Sequence, residues 1–318
     1  MIHKSPLLVA TTALPTFALL VLMAAGCNSS GQQNVPAAPE REIRPIEDLV
    51  EATKKPEPIG KFLVDVSSAI LAWNNLTLAA TTEAEKSRAR LVETHLTTVT
   101  HQRRAELVAE LENGPLNNRQ VAATALGFTH DVEAQSPLIA ALADPHDEVV
   151  GNALLGLWLL GRADTPLDKI CPLLGNMNNE KVRSNAALLM ASLTEKGARD
   201  ACVLPAARIA VLDSSPSVRT HAVYILANCA DVDSLQALLD RLYDETPIVV
   251  SAAGRALSYL TRQEPRVKGP AARGLVKAWI ATNDEPQKSS MFRNLVDMAQ
   301  GNFGSDEKEW AKWADRLP

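Results

Sequence analysis

Five times between residues 118 and 260 the chain repeats one phrase, and nothing else in it restricts the fold as strongly. In residues 144–160 the apolar residues Val149, Ala153, Leu157 and Leu160 fall at i, i+4, i+8 and i+11, which is one face of a helix. The stripe returns as Val182, Ala186, Leu189, Met190 and Leu193, then as Val218, Ala222, Ile225 and Leu226, then as Val249, Ala253, Ala256, Leu257 and Leu260. Aligned on the first stripe position, Asn118, Val149, Val182, Val218 and Val249 stand 31, 33, 36 and 31 residues apart. Periods of that length mean stacked helix pairs, because one amphipathic pair cannot bury its apolar face alone. The second helix of each pair is expected over residues 131–143, 165–174, 198–212, 233–243 and 266–281.

The boundaries carry matching turn chemistry. Asp144-Pro145, Asp213-Ser214-Ser215-Pro216 and Asp244-Glu245-Thr246-Pro247 place Pro where a first helical turn tolerates it and Asp or Ser where free N–H groups need caps. With 46% hydrophobic residues, only 4% aromatic ones and no alternating β-rich blocks, the chain reads as all-α. A formal charge of −5 argues against nucleic-acid binding, which requires a concentrated Lys/Arg face.

The pattern Pro-x-x-Val-Arg-x-x-Ala-x-x-x-Leu, copied most closely by Pro216-Ser217-Val218-Arg219-Thr220-His221-Ala222, resembles HEAT repeats, in particular the short HEAT-like type of phycobilisome lyases. The resemblance covers about half the chain. It implies an all-α, right-handed α-solenoid of about five helix pairs, armadillo-like in architecture, with helices capping both ends. In such repeats the Arg after Val reaches an acidic residue in a neighbouring repeat. Arg119, Arg183 and Arg219 hold that place and are read as structural. Val150 and Val250 replace it in two copies, so the ladder is expected to be broken there.

Lys4, the apolar run 7–23 and the small residues Ala24, Ala25 and Gly26 ahead of Cys27 have the form of an export signal. Small residues followed at once by Cys resemble the lipobox of bacterial lipoproteins, which implies cleavage before Cys27, acylation of its sulfur and a lipid-anchored protein of the bacterial cell envelope. Asn28, where Asp would favour inner-membrane retention, leaves the choice of membrane open. Residues 28–45 hold too few apolar side chains to pack and form a tether with a reach on the order of 25 Å. Residues 46–55 allow a short helix.

The expected divisions are a signal peptide (1–26), a tether (27–58), an N-terminal helical cap (59–116), the repeats (117–283) and a C-terminal helical cap (284–318). In the first cap Leu63, Val66, Ile70 and Trp73 share one helical face. Asp65, Ser67, Ser68, Asn74 and Asn75 would sit in hydrocarbon if that stretch crossed a membrane, so a packed helix is expected. At the other end Trp310 and Trp313 share a face of the last helix. Two readings stand: cover for the last repeat, or a contact with a partner.

Candidate chemistry is sparse. No Cys-x-x-Cys or His-Glu-x-x-His pair offers metal-ligand spacing, and no cofactor is implied. His130-Asp131 and His146-Asp147 fall in turns on opposite edges of a stack and should not converge. Cys171 and Cys202 lie in successive second helices, so a disulfide between them is open. The reading is therefore a non-enzymatic scaffold that binds a protein or peptide on one face, expected to be a concave face lined by second helices. The competing reading is an enzyme or accessory subunit with a small-molecule site between the N-terminal helices and the repeats, near His95 or His101.

Overall fold

The computed structural model describes residues 57–176 and 178–318. The signal peptide, Cys27, most of the tether and the helix expected at 46–55 lie outside the described residues.

Fourteen α-helices joined by turns and short 3₁₀ segments make up the described part: α1 Ile59–Ala79, α2 Glu83–Gln102, α3 Arg104–Asn113, α4 Leu116–Gly127, α5 Gln135–Ala140, α6 Asp147–Leu160, α7 Glu180–Glu195, α8 Val203–Ala210, α9 Pro216–Asn228, α10 Leu235–Asp240, α11 Pro247–Gln263, α12 Lys268–Ala281, α13 Glu285–Ala299 and α14 Glu307–Asp315. There is no sheet among them. The first helices α4, α6, α7, α9 and α11, all long, stack side by side with α13 in one layer, and the second helices, short except for α12, form a second layer behind them. The five first-helix stripes build the core: Val149, Val182, Val218 and Val249 are all fully buried, as are Ala153, Ala186, Ala222 and Ala253.

The second helices depart from their expected lengths for a covalent reason. Residues 165–174 form only two 3₁₀ turns, Leu167–Lys169 and Cys171–Gly175, because Pro166 and Pro172 remove N–H donors and block a continuous helix. In the third and fourth copies the second helix is likewise short, α8 and α10, and α10 is flanked by the 3₁₀ turns Val232–Ser234 and Arg241–Tyr243. The long helices therefore dominate the contacts between units. Consecutive long helices touch along their lengths, whereas consecutive short helices meet sparsely.

The long-helix layer is the more extensively packed of the two from one repeat to the next. The tightness comes from small residues. A Cβ on Gly156 would run into the carbonyl oxygen of Ala123, and one on Gly127 into that of Gly156, so α4 and α6 meet backbone to backbone.

The ends fit the expected caps with one extension. α1 is long and apolar enough by composition to cross a membrane, but Phe62, Leu63, Val66 and Trp73 are buried against its neighbours α2 and α4. The Trp73 ring meets Phe128 of α4 edge-on at 5.1 Å, and its Nε1 donates to Glu93 of α2 at 3.3 Å. α2 starts with a capping box in which Thr82 and Glu85 satisfy each other's backbone N–H groups. At the far end α13 packs on α11 and so extends the long-helix layer to residue 299, leaving α14 as the terminal cover.

Candidate interaction surface

Three of the repeat turns are closed by an arginine. Arg119 Nε donates to Asp144 at 2.9 Å, Arg183 Nε to Asp213 at 2.8 Å and Arg219 Nε to Asp244 at 2.9 Å. The same guanidinium reaches back to a carbonyl ahead of its own helix: Gly114, Asn176 and Asp213 respectively, at 3.0, 3.0 and 2.9 Å. The aspartates also accept backbone N–H groups two residues on, from His146, Ser215 and Thr246. Every arm of these arginines is occupied by the fold, so the sites are structural joints. Burial raises the carboxyl pKa of Asp144 and Asp244, but hydrogen bonds from the arginines and backbone outweigh it and hold both below the ordinary aspartate value. Where Val150 and Val250 replace the arginine, their side chains are buried and no such joint forms.

A second set of joints lies on the opposite edge. Arg208 of α8 grips Asp231 with Nε at 2.8 Å and Nη2 at 2.5 Å, and Arg104 of α3 ion-pairs with Asp131. Asp131 and Asp231 occupy the same repeat position, and the residues before them, His130 and Ala230, both take left-handed backbone with φ of 50° and 52°. The equality of these positions is visible in the sequence once the repeats are aligned. A residue-type motif does not reveal it, because His and Ala are unlike and neither is the Gly that usually marks such a helix end.

Away from the turn joints, the long helices carry a row of side chains at one repeat position. Six residues after the stripe position stand Leu155, Leu188, Tyr224 and Arg255, one from each of α6, α7, α9 and α11. The first three are half-buried and Arg255 is exposed. Four residues further on are Leu159, Ser192, Asn228 and Tyr259, with Tyr259 37% exposed. Beside the row, amides tie the helices together: Asn152 Nδ2 donates to the Gln120 carbonyl at 3.0 Å, Asn185 to Gly151 at 2.8 Å and Asn228 to Ala191 at 3.1 Å. His221 occupies the repeat position of Asn152 and Asn185. Burial alone pushes its imidazole down to about 4, so it is neutral near pH 7. Burial raises the Tyr224 phenol, and nearby Arg255 partly offsets the rise.

Residues 167–258 match the HEAT repeats family model. The fold is an all-α solenoid of HEAT-like helix pairs. Among solved structures the chain is similar to an engineered protein (18% identity, TM-score 0.49, 81% of this chain and 80% of that one). It is also similar to a computationally designed armadillo repeat protein for modular peptide recognition (19%, 0.45, 62% and 99%). A third is the complex of CpcE and CpcF of phycocyanin lyase from Nostoc sp. PCC7120 (20%, 0.41, 66% and 92%). No curated protein matches the chain.

The remaining sequence candidates separate cleanly. Trp310 is fully buried, and its Nε1 donates to the Gly304 carbonyl at 2.8 Å. It belongs to an aromatic cluster with Phe292, Phe303 and Trp313, so it covers the last repeat and the partner-contact reading fails for it; half-buried Trp313 meets it edge-on at 5.6 Å. Cys171 and Cys202 form a disulfide with Cα atoms 6.1 Å apart, joining adjacent repeats. His95 is exposed. His101 lies 3.9 Å from Asp131, a carboxylate already held by Arg104. His130-Asp131 follows α4 and His146-Asp147 opens α6, at opposite edges of the stack. Among the described residues no three His, Cys, Asp or Glu side chains group as metal ligands would. A shallow cleft between α12 and α14 is floored by Val276, Ile280 and Ala314.

Proposed function

We propose that the protein is a lipid-anchored scaffold of the bacterial cell envelope whose long-helix layer binds a segment of a partner protein, with no catalytic role of its own. The observation that carries this reading is the phased row Leu155, Leu188, Tyr224 and Arg255. These are side chains at one repeat position on the long helices, half-buried or exposed, while the turn arginines are spent on the fold. A stack of this kind offers an extended surface of the sort that repeat proteins use for partners. Export is supported by the Cys171–Cys202 disulfide, which belongs to an oxidising compartment, and by the apolar run ahead of Cys27. Anchoring rests on acylation of Cys27, and the tether holds the stack near the membrane surface.

The test is made in cells with the full-length chain. Cys27→Ala should move the protein from the membrane to the soluble fraction. Chemical crosslinking of the wild type should recover one or a few proteins that disappear with the double variant Leu188→Glu, Tyr224→Glu, whose circular dichroism and melting remain those of the wild type. Recovery of the same proteins from the double variant would move the interface off the long-helix layer. Retention of Cys27→Ala on the membrane would remove the lipid anchor from the account.

A further inference from the structure

Helix α1 is apolar on both sides, and only one of them is covered. Val64, Leu71 and Leu78 share its outward face and are 64%, 53% and 43% exposed, whereas Phe62, Leu63, Val66 and Trp73 on the other side are buried against α2 and α4. We propose that the outward face of α1 lies on the lipid surface of the membrane, with the helix axis parallel to the bilayer and Val64, Leu71 and Leu78 sunk among the headgroups. The proposal rests on the lipid-anchor reading above and adds the face that the anchored stack turns to the bilayer.

Charge permits this contact. No charged residue occurs from Val66 to Thr82, and between the apolar side chains the face carries only the exposed, neutral Ser68 and Asn75. The charges of α1 stand in its first turns, where Lys61 pairs with Glu57 and Asp65 follows. The elements packed on α1 add no net negative charge. On α4, Arg119 is held by Asp144; at the end of α2, Arg103 pairs with Glu106 and lies over the Phe62 ring at 4.4 Å. Along α2, Glu83, Glu85 and Glu93 are matched by Lys86, Arg88 and Arg90, with Glu85 drawn into the capping box and Glu93 accepting from the Trp73 indole.

Packing and position decide between occupants. Crossing the bilayer would tear Trp73 from Phe128 and Glu93 and strip the buried side of the helix, whereas lying on it leaves those contacts whole. A seam with a second copy needs two apolar positions in each seven residues, and here Ser68 and Asn75 hold the second. At a lipid interface such side chains stay hydrated beside buried leucines. The chain from Cys27 enters the described part at Glu57, two residues ahead of α1, so α1 is the helix joined most directly to the anchor. An anchor on the same chain keeps that face concentrated at the bilayer, and weak interfacial affinity is then enough.

The experiment uses the full-length chain, processed in a bacterium and reconstituted in vesicles of phosphatidylethanolamine and phosphatidylglycerol. An environment-sensitive fluorescent amino acid stands at position 71 or, as the control, at exposed position 209 in the second layer. Interfacial helices sit about 5–10 Å deep, so phospholipids brominated near the top of the acyl chain should quench the probe at 71 about twofold or more and leave that at 209 unchanged. Val64→Glu with Leu78→Glu should abolish the quenching while melting and flotation with vesicles stay those of the wild type. Intact mass reads acylation of Cys27 separately. An acylated, floating chain with no quenching at 71 would overturn the α1 contact and keep the anchor. Shielding of the probe at 71 that rises with protein concentration and ignores bromolipid would give the face to a second copy and overturn the contact likewise. Quenching at 71 in a chain that is not acylated would keep the contact and remove the anchor, and a chain neither acylated nor quenched would overturn both.

Discussion

At the scale of single residues, polar groups in the array act as fasteners. Arg219 and Asp244 show it best, with side chains only 6% and 2% exposed and with each other's charge as the main partner. Asp244 also pairs with Arg241 at 3.1 Å, so Asp244→Ala takes the main carboxylate from two arginines and should lower stability by about 3–5 kcal/mol, read as a drop in the urea midpoint. An unchanged midpoint would mean that the joint contributes nothing. His221 gives a pH signature of its own. Its ordinary value is 6.5 and its folded value about 4, so between those limits the unfolded chain binds more protons than the folded one. The stability it contributes is complete above pH 6.5 and is lost as pH falls toward 4. His221→Asn should therefore show a flatter dependence of stability on pH across that window than the wild type, and parallel curves would contradict the burial. The joints at Arg119, Arg183 and Arg219 were legible in sequence through the Val-Arg pair. The second set at Asp131 and Asp231 was not, because its arginines sit in short helices with no fixed phrase around them.

At the scale of elements, the long helices were legible because their period is strict and their stripes are buried throughout. The short helices were legible in place but not in length, since prolines and 3₁₀ turns act within single turns that a periodic pattern averages over. The close approach of neighbouring long helices is a contact between repeats. Sequence carries that only indirectly, in small residues such as Gly127 and Gly156, whose partners lie in another repeat. Gly156→Ala forces α6 away from the Ala123 carbonyl and should cost about 1–3 kcal/mol, whereas Gly175→Ala, with open space around it, should have little effect. Thermal melting of the two variants checks this, and equal melting temperatures would contradict the close approach. Reduction of Cys171–Cys202, whose partners lie 31 residues apart, should lower stability by about 2–4 kcal/mol, seen as an earlier melt with reductant than without. The sequence brought these cysteines to neighbouring repeats but could not set their register.

At the scale of the molecule, a one-dimensional stack divides its labour between edges and faces. Both edges hold the Arg–Asp joints, the interior holds the stripes, and the long helices carry the phased row Leu155, Leu188, Tyr224 and Arg255 between the edges. The second layer has its own protruding apolar groups, Ile209, Leu212 and Tyr243, which define the rival surface. The most direct test places a photo-crosslinking amino acid, one position at a time, at Leu155, Leu188, Tyr224 and Tyr259 on the long helices and at Ile209, Leu212 and Tyr243 on the second layer, in the anchored protein in cells. The account predicts partner adducts from the long-helix positions and none from the second layer; adducts confined to the second layer would contradict it.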